Sequence, residues 1–237
     1  MIGVIGGNGV AATNKLLSLI EENKTINGAF RDAHHPEMII WQATQAPSRS
    51  MYLEGRGPSW IEDYVNIAGN LKELGCTEIC MCCNTAHYAI DLLEEKTNVK
   101  FINLLDLVAK KIGGGKRVGL MVSEGLKKEK LYDKYFRNIA SDIQVIYPNE
   151  EYQALVTKGI CNAKNKIRFE NPKDNIEHPY NCFNRVVDYF ISQEVDCIVA
   201  GCTDICNVYT PNDLQLKNNI QYIDSLKVLA EYICVNY

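Results

Sequence analysis

Two cysteines stand in positions from which a thiol can do chemistry. Cys83 lies in CCNTAHY (residues 82–88), at the end of the apolar run EICMC, and Cys202 lies in GCTDI (201–205), after CIVAG. Each sits just past the last apolar residue of a strand-like segment and just before a polar turn. Open α/β sheets present ligand-binding groups from this place. Two thiols on opposite sides of a carbon centre can remove a proton from one face and deliver one to the other, which inverts configuration. One sulfur must then be thiolate and its partner thiol, with the roles exchanged for the reverse direction. A free cysteine has a pKa near 8.5, which a helix N-terminus lowers. Asn84 and Thr85 are good N-cap types, TAHYAIDLLEEK reads as the helix that follows, and Thr203 and Asp204 stand after Cys202.

The elements that must position these thiols alternate short apolar runs with longer amphipathic segments. MIGVI, MIIWQA, TEICMC, VKFINL and RVGLMV read as strands; AATNKLLSLIEE, WIEDYVNIAGNLKELG, TAHYAIDLLEEK and LDLVAKKI read as helices. This is the rhythm of parallel strands and crossover helices. The second half replays the first. RVGLMVSEG resembles MIGVIGGNG, VDYFISQEVDCIVAGCTDI resembles AGNLKELGCTEICMCCNTA, and YIDSLKVLAEYI resembles FINLLDLVAKKI, in the same order at offsets of about 116 to 121 residues. The expectation is an α/β protein of two pseudo-symmetric domains, each a parallel sheet flanked by helices. The boundary falls at GGGK (113–116), giving domains 1–112 and 113–211, with a C-terminal helix of about 212–237 joining the first. If the halves face each other about an approximate twofold, Cys83 and Cys202 meet in one inter-domain cleft.

Composition narrows the function classes. The 237 residues are 46% hydrophobic and 23% charged, enough for a substantial core, and the net charge is −4 with no basic tract. No nucleic-acid or membrane partner is expected, and any positive charge that meets an anionic ligand must be local. With no leader-like or spanning segment, the reading is a soluble cytoplasmic protein. The other eight of the ten cysteines read as bystanders: Cys76, Cys82, Cys182, Cys197 and Cys234 as inert core thiols, with Cys80, Cys161 and Cys206 also outside the chemistry. Cys80-x-x-Cys83 has zinc-like spacing, but no second such pair exists, and no metal site is expected.

GGNG (6–9), APSRS (46–50), CCNTAHY and GCTDI, in that order and over nearly the whole chain, resemble the landmarks of the cofactor-independent aspartate/glutamate racemases. The resemblance implies an active site between two α/β domains, no cofactor and in particular no pyridoxal phosphate, and α-carbon deprotonation of a small acidic amino acid by a cysteine pair. By the same resemblance Cys83 and Cys202 are the acid/base pair, and Asn84, Thr85 and Thr203 bind the α-carboxylate or amino group. Arg49 corresponds to the family arginine that anchors the side-chain carboxylate, a task suited to a planar guanidinium. Lys164 is the matching second-domain lysine, with Lys166 as its alternative, and a homodimer is expected by analogy.

The chain departs from the family pattern at several points. Asn8 stands where the family has Met, and remains a candidate ligand donor; Val10 stands where it has Pro. Ser123-Glu124-Gly125-Leu126 replaces T-x-x-T, leaving Ser123 as the remaining hydroxyl, and Asp204 replaces the commoner glutamate. His87 is a candidate supporting residue that polarises the thiolate or its partners. Arg56 could join Arg49 in attracting an anion. The polar stretch 168–181 reads as an exposed insertion or as a lid using His178. An isomerase or decarboxylase of another small acid, and a non-catalytic acidic amino-acid binder, stand as the other readings.

Overall fold

The computed structural model of the chain describes residues 1–114, 116–212 and 220–237. It divides into two compact units, Met1–Leu107 with Leu226–Tyr237, and Val108–Ser225. The first 112 residues carry β1 (Ile2–Gly6), α1 (Val10–Ile26), β2 (Met38–Gln42), α2 (Arg49–Leu53), α3 (Ile61–Glu73), β3 (Glu78–Met81), α4 (Ile90–Thr97), β4 (Lys100–Ile102) and α5 (Leu104–Ile112). Then come β5 (Arg117–Met121), α6 (Glu124–Lys128), α7 (Leu131–Ile139), β6 (Gln144–Ile146), α8 (Glu150–Asn162), α9 (Pro179–Ser192), β7 (Cys197–Ala200), α10 (Thr203–Val208), β8 (Gln221–Asp224) and α11 (Ser225–Asn236).

Each unit holds a four-stranded, all-parallel sheet of the same order, β2-β1-β3-β4 in the first and β6-β5-β7-β8 in the second. The repeat read in the sequence is therefore a repeat of topology. The central strands are apolar along their length: β1 and β7 are wholly buried, as sheets covered on both faces require. In the first unit α3 lays Tyr64, Ile67, Ala68 and Leu71 into a core shared with Ile5, Ile79, Met81 and Phe101. Spacings of three and four residues place these four on one face of the helix.

The chain's C-terminus differs from its expected form. The helix begins at Ser225 rather than near 212, because Gln221–Asp224 is a strand that pairs with β7. Of the expected helix, residues 213–219 lie outside the described residues, as does Gly115 of the GGGK boundary. Among the described residues no helix is long and apolar enough to cross a membrane.

The turn after β1 rests on Gly7, whose φ of +78° suits glycine. Its N–H donates to Thr13 Oγ1 at 3.0 Å. A Cβ there would lie 2.7 Å from Ala43 N and 2.9 Å from the carbonyl carbon of Gln42, both backbone atoms that cannot swing aside. Gly7→Ala combines a left-handed backbone with overpacking and should cost roughly 2–4 kcal/mol. A fall in the urea midpoint at unchanged m-value is the expected reading; an unchanged midpoint would show that the loop relaxes freely.

Candidate active site

In the first sheet the strand order reverses between β1 and β3, the place where open parallel sheets bind ligands. Asn8 follows β1 and Cys83 follows β3. The Cys82 N–H donates to Ile5 O at 3.0 Å, carrying the β1–β3 ladder one residue past the strand. Cys83 then stands in extended conformation, φ −162° and ψ 115°, as the N-cap residue of a 3₁₀ turn over Asn84–Ala89. Its side chain is half-buried, while Asn84 and Thr85 are buried.

The expected α-helix after Cys83 thus begins only at Ile90, and Asn84 and Thr85 lie inside the turn rather than at its cap. His87 supplies the reason. The Leu104 N–H donates to His87 Nε2 at 3.1 Å, so Nδ1 carries the proton and donates to Cys83 O at 2.9 Å. In an α-helix that carbonyl would accept the backbone N–H of residue 87; here it accepts the His87 imidazole and, at 3.3 Å, the Ala86 N–H of the 3₁₀ turn. A continuous helix dipole aimed at the sulfur is replaced by one 3₁₀ turn. Burial pushes the His87 pKa down to about 4, so the ring is neutral near pH 7 and positions the Cys83 backbone.

Arg49 opens α2, whose N-cap Ser48 accepts the Met51 N–H. Its Nη1 donates to Ala46 O at 3.2 Å and Pro47 O at 2.8 Å, which fixes the guanidinium, while Nε–H is buried without a protein partner. Asn8 is 5% exposed, and neither its Oδ1 nor its Nδ2 finds a partner. The Tyr64 hydroxyl, on α3, is a third such group. Burial pushes the Tyr64 phenol well above its usual range against the pull of the Arg49 guanidinium, so it stays protonated; Cys83 and the Asn8 amide also act on it. Sequence reasoning missed Tyr64 because its spacing marks only a core stripe of α3. Arg56, by contrast, does not join Arg49: it is exposed and paired with Glu54.

The second unit builds the equivalent place from the same parts. Ser123 follows β5 at the N-cap of α6, and Cys202 follows β7. The Gly201 N–H donates to Met121 O at 2.9 Å, the counterpart of the Cys82 bond, and half-buried Cys202 is the N-cap residue of α10 with φ −145° and ψ 126°. The Cys202 thiol lies 4.0 Å from Asp204 Oδ2, in line to donate to it, and Lys164 Nζ pairs with the same oxygen at 2.9 Å. Lys166, in the 3₁₀ turn Lys166–Phe169, is exposed. Thr203 is buried beside Cys202, and Gln153 Nε2 donates to Val122 O, bracing the backbone before Ser123.

His178 is not a free lid residue. It is buried as the N-cap of α9, where Nδ1 accepts the Tyr180 N–H and Nε2 donates to Arg168 O, so it ties the stretch 168–181 to the helix. Of the remaining cysteines, Cys76, Cys80, Cys82, Cys182, Cys197 and Cys206 are buried, Cys234 is half-buried and Cys161 is exposed. Burial pushes the Cys80 and Cys197 thiols up to about 12, so neither is ionised near neutral pH. Among the described residues no group of three or more His, Cys, Asp or Glu side chains is placed to hold a metal ion.

Compared with known proteins, residues 2–233 match a family model described as Asp/Glu/Hydantoin racemase. The chain is 21% identical over 239 residues to the broad specificity amino-acid racemase RacX of Bacillus subtilis, covering 100% of this chain and 98% of that one. Among solved structures it is similar to an aspartate racemase of Picrophilus torridus, at 25% identity and TM-score 0.76 over 98% of this chain and 91% of that chain. It shares its fold with an aspartate racemase homologue from Pyrococcus horikoshii, at 22% identity and TM-score 0.70 over 98% and 96% of the two chains.

The His87 geometry fixes a pH dependence. Between pH 6.5 and 4 the unfolded chain protonates this histidine and the folded chain does not, so stability is complete above about pH 6.5 and lost as pH falls toward 4. The loss is on the order of 3 kcal/mol at 1.36 kcal/mol per pKa unit. His87→Asn should flatten the slope of unfolding free energy in that window, measured by urea titration at a series of pH values. An unaltered slope would assign it to other groups.

Proposed function

The chain belongs to the Asp/Glu/hydantoin racemase family, and from that premise we propose that it interconverts the L and D forms of aspartate, glutamate or both, with Cys83 and Cys202 as a two-base pair. The observation that carries this reading is their matched placement. Each sulfur stands two residues beyond the second central strand of its sheet, at an N-cap, and partly open in an otherwise buried turn.

In the proposed step a thiolate removes the α-proton from one face while a thiol delivers a proton to the other, and no pyridoxal phosphate takes part. The Asp204 carboxylate accepts the Cys202 S–H, which suits Cys202 to begin as the acid and Cys83 as the base. Because a thiolate is a weak base toward an α-proton, the developing negative charge needs donors aimed at the α-carboxylate. Asn84, Thr85, Thr203, Ser123 and the loop amides of residues 6–9 are our candidates for the α-carboxylate and amino group. Lys164 contributes through its pair with Asp204 and Arg49 anchors the side-chain carboxylate, fixing orientation as well as affinity.

A second reading, a racemase of broader specificity, is favoured by one specific contact. Arg49 spends Nη1 on two backbone carbonyls, which leaves less of its fork for a substrate carboxylate. Assay of a panel of amino acids by chiral chromatography separates the two readings: preference for aspartate and glutamate supports the first, equal turnover of neutral residues the second.

Cys83→Ala and Cys202→Ala should each lower racemisation by about a thousandfold or more with the fold intact by circular dichroism. In D₂O, wild-type product should carry α-deuterium while recovered substrate carries little at early conversion. Full racemisation in either single variant would rule out the two-base reading.

A further inference from the structure

We propose that the Tyr64 hydroxyl, with Arg49 Nε and the Asn8 amide, forms the pocket for the substrate's side-chain carboxylate, and that Tyr64 is its specificity-determining residue. This deepens the racemase reading and rests on it for the identity of the ligand. Tyr64 belongs to none of the motifs that mark the chain. It comes from α3, the helix that otherwise only fills the core of the first unit.

Three observations point to a ligand here. First, Asn8, Arg49 and Tyr64 each hold at least one buried side-chain polar atom without a protein partner, although such atoms are rare in folded chains. Second, these atoms belong to one neighbourhood: the Arg49 charge, the Cys83 sulfur and the Asn8 amide all act on the Tyr64 hydroxyl. Third, the set is rich in donors. It offers the guanidinium Nε–H, the phenolic O–H and the amide N–H of Asn8, and the one acceptor, Asn8 Oδ1, can be turned away by an amide flip. Three donors in one neighbourhood, beside a fixed positive charge, suit a carboxylate, and a neutral side chain would leave them unpaired.

The ring of Tyr64 is held independently of its hydroxyl. It is fully buried and packs edge-on against Trp60, with ring centroids 4.7 Å apart. Tyr64→Phe therefore keeps the packing and removes only the partnerless oxygen. A hydroxyl with a structural partner would leave that partner orphaned on removal and lower stability; one that serves only a ligand would not. This difference separates a binding role from a packing role.

The test uses the full-length chain. Wild type and Tyr64→Phe are compared in three ways: the ratio of kcat/KM for L-aspartate to that for L-alanine, read by α-deuterium exchange; the Kd for succinate, by calorimetry; and the thermal midpoint. The expected result is a fall of about tenfold or more in the aspartate/alanine ratio, carried mainly by KM, with succinate binding weakened by a similar factor and the midpoint unchanged or raised. Wild-type values for both the ratio and succinate binding in Tyr64→Phe would overturn the assignment while leaving the racemase reading standing. So would a lowered midpoint, or a wild type that does not bind succinate. If wild type exchanges no amino acid at all, the racemase reading fails by itself; the succinate arm then decides the pocket alone, since it needs no turnover.

Discussion

A sulfur that is to exchange a proton with carbon must be held still and yet left partly open. In both units this is achieved with a single backbone hydrogen bond, from Cys82 N–H to Ile5 O and from Gly201 N–H to Met121 O, which runs the parallel ladder one residue beyond a buried strand. The next residue then leaves the sheet in extended conformation at the point where the strand order reverses. The position of each thiol is thus a property of sheet register, and register is fixed because both faces of the sheet are buried. Everything proposed about chemistry depends on that register, since a one-residue slip would exchange Cys83 for Cys82, a side chain with no solvent exposure.

The two units share a backbone plan and differ in what surrounds the sulfur. Four residues past Cys83 stands His87, whose ring bonds to the Cys83 carbonyl; four past Cys202 stands Cys206, whose thiol bonds to Ala200 O. The first unit holds Tyr64, whose hydroxyl is under the influence of Cys83, whereas Cys202 faces an acceptor, Asp204, already paired with Lys164. A duplicated fold therefore sets its two cysteines in environments of different character.

Much of this was legible in the sequence because it is written in short-range patterns. Apolar runs of four or five residues, the repeat of RVGLMV on MIGVIG, and a cysteine at each strand end follow from burial and sheet geometry, and each unit holds the parallel sheet they imply. What was not legible depends on competition between groups distant in sequence. His87 replaces its own backbone N–H at the Cys83 carbonyl, and its ring is set to donate there because the Leu104 N–H fixes its tautomer from 17 residues away. His178 reads as a loop histidine until Arg168 O and the Tyr180 N–H claim its two nitrogens. Arg49 and Arg56 look alike as cations near a loop, and only the local bonds distinguish a half-buried guanidinium held by backbone carbonyls from an exposed one paired with Glu54. Tyr64 was invisible for the opposite reason. Its spacing says core, correctly, and nothing in the pattern reports that its oxygen lacks a partner.

That missing partner bears on how affinity could arise. A buried polar atom without a hydrogen bond costs about 1–3 kcal/mol, a large fraction of the roughly 5–15 kcal/mol by which folded chains are stable. In the first unit Asn8, Arg49, Trp60 and Tyr64 all carry such atoms, while the core around them is apolar and closely packed. A fold that keeps several of these groups near one cysteine has already removed them from water during folding. A carboxylate arriving there loses its own hydration but need not strip water from these donors, and it meets a charge held in place by the Ala46 and Pro47 carbonyls. On the proposed reading the cost is carried by the unliganded protein and would be recovered on binding, as preorganised sites require. The donors of that proposed pocket sit on a strand-end loop and two helix positions braced by the core, the rigid frame that preorganisation needs.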